Sequence, residues 1–327
     1  LWRRPYLGGG PGPDVRRIHP GERVPIGRAF ATPGRLGRRA LAAARDRLHR
    51  TTPARRIRGE RSALAFLEEV GFAFLFDNFG TGLPFLWAAV CGRRDPRWPR
   101  HTHHDPGIGL AWHVKDVLPA RRQVYYGKLL LGKPTLVALR DLPACVAWFR
   151  RETPAWHRVA FLRGRMSRAA HAILEALHAE HPLYTPDLRR AAGMAHPRET
   201  RAFERAIAEV QQGLWAVKTE ERYDPSFAYR WDLFGSRYRR AAAAAEGLTP
   251  TGALEHLAGR LLDTLLWSTP RELTRLLRPT AEELEGTLGS LEARGRLLRG
   301  VRVPGLPPRL LLSRRALEAL PPGGSQP

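Results

Sequence analysis

Cysteine is nearly absent: Cys91 and Cys145 are the only two in 327 residues. Two are too few for a disulfide scaffold or a cysteine-based zinc site, which fits a reducing cytoplasm. Long apolar runs are missing as well. No stretch of about 18 apolar residues occurs, so no segment reads as a membrane span and no membrane partner is expected. Residues 1–50 lack the apolar core of a secretory signal. There is no glycine-rich phosphate loop, because the glycines from Gly8 to Gly12 precede no strand–helix unit. Lysine is scarce, with only Lys115, Lys128, Lys133 and Lys218. Acids are few too, 31 against 54 basic residues, for a net charge of +23 and a pI near 11.4. That excess points to a polyanionic partner, nucleic acid before membrane. A GC-rich coding bias would favour arginine over lysine, but it does not create the surplus of bases. The chain opens on Leu1 with no Met before Met166, which reads as a shortened sequence or a non-standard start.

What is present is a chain with 43% hydrophobic residues, enough for a folded core and two or three domains. Residues 1–50 carry twelve arginines against Asp14, Glu22 and Asp46, a net +9. They read as a disordered basic arm with a short helix over Leu41–His49. An over-extended gene start is the competing explanation. Residues 52–150 read as an α or α+β domain. Ser62–Val70 and Leu83–Cys91 look helical, and Phe72–Phe76, Gln123–Tyr126 and Thr135–Leu139 are candidate strands. Residues 321–327 read as a disordered tail.

The most informative stretch is Met166 to Leu233, within a domain placed at 160–236. Ala170, Ile173, Leu174 and Leu177 mark a first amphipathic helix. Thr185-Pro186 opens a second, with threonine suited to the N-cap and proline to N1, and Gly193 offers its stop. A third helix starts near Pro197 with Phe203, Ala206, Ile207 and Val210 on one side and Arg198, Arg201 and Arg205 on the other. Leu214–Val217 and the alternating Phe227, Tyr229, Trp231 and Leu233 read as two strands around a turn. Three helices and a ribbon are the pattern of a winged helix, whose third helix enters the DNA major groove. Lys218 and Arg222 approach the wing and join the three arginines as expected DNA contacts.

The pattern returns at 248–320. Leu254, Leu257, Leu261, Leu262 and Leu265 form one stripe, and Thr269-Pro270-Arg271-Glu272 and Thr280-Ala281-Glu282-Glu283 are capping boxes. Leu284, Leu288 and Leu291 follow, then Leu297-Leu298 and Leu310–Leu312 flank a second wing. Here the outer side of the third helix presents Glu282, Glu283, Gly286, Gly289 and Ser290, a poor surface for phosphates. A unit repeated about 80 residues on indicates tandem domains. The expected fold class is therefore mainly α with small β-wings (α+β), with tandem winged helices behind a mixed N-terminal domain.

This layout, with Thr185-Pro186 and Thr269-Pro270 in the second helices, resembles the winged-helix proteins related to the crosslink-repair DNA glycosylases. Phe66–Phe72 and Trp98–Pro106 resemble uncharacterised proteins of that wider group, and the likeness runs over roughly residues 60–313. It implies duplex DNA as partner. The glycosylases of that group use a Gln-x-Gln or Gln-x-Asp signature. Among Gln123, Gln211, Gln212 and Gln326 neither occurs, so excision chemistry is not carried over.

Other candidate sites carry less. His101, His103, His104 and Asp105 are metal-ligand types, but their spacing fits no standard zinc motif, so a polar loop with no metal and no cofactor is expected. Asp105, Asp116, Lys115 and Lys128 invite a nuclease reading, yet no Asp/Glu-x-Lys step lies on a strand, and Lys115-Asp116 reads as a solvated pair at a helix end. Trp87, Trp98, Trp112, Trp148 and Trp156 can stack bases, although core positions are the commoner use. The leading expectation is a cytoplasmic DNA-binding protein, a transcriptional regulator or a DNA-repair-related factor. The alternative is a glycosylase-like enzyme acting on damaged bases in duplex DNA.

Overall fold

The computed structural model describes residues 37–152 and 156–320. The described residues hold fifteen α-helices, five short 3-10 turns and nine short strands, the strands grouped in three antiparallel three-stranded sheets. The first unit runs α1 (Arg38–Leu48), α2 (Glu60–Val70), β1 (Phe72–Phe74), α3 (Leu86–Cys91), α4 (Pro106–Ala120), β2 (Val124–Lys128), β3 (Pro134–Ala138) and α5 (Leu142–Phe149). Its sheet order is β1-β3-β2, with Tyr125 opposite Val137 and Ala73 opposite Leu136. All three strands lie where apolar runs place them. Gly71 has to be glycine, because its φ is +77° and a Cβ would meet Asp141 at 2.7 Å and Arg260 at 2.6 Å.

The second unit comprises α6 (His157–Leu162), α7 (Arg168–Ala179), β4 (Leu183–Tyr184), α8 (Thr185–Ala191), α9 (Thr200–Gln212), β5 (Ala216–Arg222) and β6 (Ala228–Leu233). Short helices α10 (Phe234–Arg237) and α11 (Arg239–Glu246) lead to the third unit. That unit holds α12 (Pro250–Leu265), β7 (Trp267–Ser268), α13 (Pro270–Leu277), α14 (Ala281–Ala293), β8 (Leu297–Val301), β9 (Leu310–Ser313) and α15 (Arg314–Glu318). Sheets β4-β6-β5 and β7-β9-β8 have the same order and sense. Helices and strands follow one order in the second and third units.

The two Thr-Pro steps differ in use. Thr269 is the N-cap of α13 and forms a full capping box with Glu272. Thr185 does not cap α8: its hydroxyl donates to the Tyr229 carbonyl and accepts from Trp231 Nε1 at 2.9 Å. The nearby β6 offers better-placed partners than the helix's own first turn.

Apolar packing does not follow the sequence order. One core joins the first unit to the third, for example Leu41, Phe66 and Trp148 with Leu257, Leu277 and Leu312, and the second unit keeps a separate core around Ile173, Leu177, Phe203 and Trp231. Residues 38–50 correct the expected boundary of the basic arm. In α1, Leu41, Ala44 and Leu48 are buried, Arg45 donates to the Leu265 and Trp267 carbonyls, and His49 donates to Thr264 O at 2.8 Å. Positions 1–36 of that arm and the 321–327 tail lie outside the described residues. No described helix is long and apolar enough to cross a membrane.

Candidate functional site

Between the edge strand β2, helix α4 and the second unit lies a cleft of 910 Å³. Helix α9 supplies one wall through Thr200, Glu204, Ile207 and Gln211, residues spaced to form a single stripe. Gln211 ties the walls together. Its Nε2 donates to the Ile207 carbonyl at 3.1 Å, and its Oε1 accepts from the Lys128 backbone N–H at 3.3 Å. Aromatic rings form much of the lining, with Trp112, Tyr126, Tyr229 and Trp231 inside and Tyr223 and Phe227 of the β5–β6 turn at its rim. Tyr223 and Phe227 are well exposed, at 69% and 54%.

Four charges meet at one edge of this cleft, where Lys115, Lys218 and Glu221 line it and Asp116 lies in an adjoining smaller hollow. Lys115 on α4 donates to Asp116 Oδ1 and to Glu221 Oε1, each at 2.6 Å. Lys218 on β5 also donates to Glu221 Oε1, and to Asp116 Oδ1 at 3.3 Å. Tyr223 OH donates to Glu221 Oε2 at 2.9 Å. Lys218 and Glu221 are three residues apart and would point to opposite faces of a regular strand. The ladder slips between Lys218 and Glu220, and that extra residue brings both onto one side.

Burial works to raise the Glu221 pKa, but hydrogen bonds and charge from the two lysines outweigh it and hold the carboxyl down at about 2. Burial lowers the pKa of Lys218, and the neighbouring Lys115 lowers it further, more than Glu221 and Asp116 raise it. Lys115 is also penalised by burial, but close bonds to both carboxylates leave it raised. The two lysines differ because Asp116 lies nearer to Lys115 than to Lys218.

These positions correct two expectations. Lys115-Asp116 is not a solvated pair, since Lys115 is buried against a carboxylate from the second unit. Lys218 is not an open contact on the wing: it is 8% exposed and both its carboxylate partners are filled. In the sequence, Lys115 on α4 gives no sign of an acid 106 positions away. Arg222 is half-buried with its guanidinium 4.3 Å over the Tyr184 ring.

Arg198, Arg201 and Arg205 are exposed, and no ion pair engages them among the described residues. Arg201 and Arg205 sit one position around α9 from the stripe that walls the cleft. On α14, Glu283 instead caps the helix with Thr280, and Glu285 pairs with Arg299. Asp105 accepts from the Ile108 N–H at 2.8 Å and so starts α4, while His101 and His104 are exposed. Trp87 and Trp148 belong to the core, and Trp98 is 56% exposed with its ring 4.4 Å from Trp87.

A family model described as AlkZ related matches residues 57–278. Among solved structures, the chain is similar to the Streptomyces sahachiroi DNA glycosylase AlkZ, at 13% identity and a TM-score of 0.55, over 88% of this chain and 73% of that one. At that identity the likeness is one of fold. No curated protein matches the chain. The family match spans both walls of the cleft and the whole second unit, and the chain belongs to the AlkZ-related family.

Proposed function

We propose that the protein is a DNA-repair enzyme that docks on duplex DNA and draws a modified nucleotide into the cleft, where it acts as a base-excising glycosylase. The observation that carries this reading is that α9 serves two surfaces at once. Its arginines face solvent, and its adjacent stripe walls a cleft whose charged groups include an ionised carboxylate. The second unit then works as a winged helix, with α9 in the major groove and the β5–β6 turn as the wing. Arg198, Arg201 and Arg205 meet phosphates or guanine edges. Tyr223 and Phe227 fill the space left in the base stack, and the extruded base lies against the aromatic lining. As the C1′–N bond breaks, the base leaves with the electron pair and water adds to C1′; the positive charge that builds on the sugar meanwhile is stabilised electrostatically by Glu221.

The family relationship favours this reading over a regulator. Without a Gln-x-Gln or Gln-x-Asp pair, and with Gln211 spent on holding the walls together, the charge-stabilising role falls to Glu221. The test is single-turnover release of base from N7-alkylated and crosslinked duplexes, with abasic sites revealed by alkaline cleavage. The wild-type chain releases base, and Glu221→Gln slows release by about 10²-fold or more while retaining DNA affinity. Binding with no release from either duplex would overturn the enzymatic reading and leave a DNA-binding protein.

A further inference from the structure

A second cluster lies within the second unit, on the α6–α7 face. His171 and Glu175 are four residues apart on α7 and therefore share one face, and His157 on α6 approaches them. One ligand-type atom from each of the three lies within 4.8 Å of the others. His157 is 2% exposed, and its Nε2 is 2.5 Å from Glu175 Oε1. The Nδ1 atom of His171 is buried and has no hydrogen-bond partner among the described residues, an unusual state for an imidazole nitrogen. Both rings are held in place from outside: Phe161 stacks on His171 with centroids 4.2 Å apart, and His178 stacks on His157 at 4.5 Å.

We propose that His157, His171 and Glu175 form a zinc-binding site that clamps α6 onto α7. Two imidazoles and a carboxylate are a donor set that zinc accepts, with a fourth position left for water. Bonds of about 2.0–2.2 Å at tetrahedral angles place ligand atoms roughly 3.3 Å apart, so the cluster closes by about 1.5 Å at its widest separation. The ion takes the place of the hydrogen between His157 and Glu175, and the imidazole stays neutral with its N–H moved to Nδ1. Glu175 accepts from His157 Nε2 and from the Arg158 guanidinium, so its oxygens already face nitrogen donors. Arg158 is the competitor, because its guanidinium grips both Glu175 oxygens at 2.8 and 2.7 Å.

The test is calorimetric titration of the chelator-dialysed full chain with zinc chloride, with cobalt as a spectroscopic substitute. One equivalent of zinc binds, cobalt gives the intense visible bands of a tetrahedral site, and the melting temperature rises on loading. His171→Ala weakens zinc binding at least about tenfold and removes the rise. Arg158→Ala, at an exposed position, folds normally and binds zinc as well as or better than the parent. Substituting His101 and His104 by alanine leaves the titration unchanged. No saturable one-equivalent binding, binding indifferent to His171→Ala, or weaker binding in Arg158→Ala would each overturn the site.

Discussion

Single residues in this protein take their chemistry from partners far along the chain. Glu221 is ionised because Lys115 and Lys218 reach it from two different units, and His49 is neutral because it is fully buried against the Thr264 carbonyl. Burial first, and Arg45 second, pushes the His49 pKa down to about 3, against about 6.5 in an unfolded chain. The folded state therefore resists a proton that the unfolded state takes up. Stability is complete above about pH 6.5 and falls toward pH 3, by up to about 1.4 kcal/mol per pH unit. Glu221 and Glu175, with depressed values of about 2, lose their contribution only below the unfolded carboxylate range near 4.3. The window from pH 6.5 to 4.5 thus reports on histidines, His49 first and the less buried His178, lowered by burial, after it. His49→Gln, which keeps a donor for Thr264, is expected to flatten the urea midpoint across that window. An unchanged slope would mean another group takes up the proton.

At the scale of elements, α9 and α14 occupy the same place in two copies of one pattern and differ in charge. Mutating Arg201 and Arg205 together to alanine is expected to cost roughly 1–3 kcal/mol of DNA affinity per base-contacting arginine, and less where the interaction is only with phosphate. Glu283 closes a capping box with Thr280, so its loss would weaken the helix itself by about 1 kcal/mol. The comparison on α14 is therefore Glu282→Ala alone, which should leave affinity unchanged or slightly higher. Binding isotherms at one fixed salt concentration check both, and equal losses from the two helices would remove α9 as the reader. Most of these elements were legible in the sequence. The apolar stripes of α7, α9, α12 and α14, the two capping boxes, and the strands at Val124 and Pro134 follow from local periodicity and hydrogen-bond rules. The bulge at Lys218–Glu220 was not legible, since no residue there demands an irregular ladder.

For the whole molecule, the central fact is that the first and third units share a core while the second has its own. Helix α1 belongs to the shared core and is held at Leu265, Trp267 and Thr264. Removing residues 1–36, which precede that helix, tests their part in DNA binding. If their seven arginines touch DNA, that removal reduces the slope of log affinity against log salt by about 0.9 for each phosphate no longer neutralised. Removing residues 1–50 instead strips Leu41, Ala44 and Leu48 from the core and should lower the melting temperature sharply. A 1–36 deletion with the parent's salt slope would show that the segment does not touch DNA.

Local matters follow from the order of residues alone: where helices begin and end, the repeated helix–strand order, the arginine face of α9, and an excess of positive charge that calls for a polyanion. They rest on the period of apolar residues, on caps a few positions apart and on composition. The sites came only with the packed fold. Lys115 met Glu221 once α4 had packed beside β5, and His157 met Glu175 once α6 lay on α7. The i, i+4 spacing of His171 and Glu175 was a readable signal, but its third member was not. Coulombic attraction and metal coordination act over a few ångströms and are indifferent to sequence separation, so the chemistry of this chain becomes visible only where folding brings distant groups together.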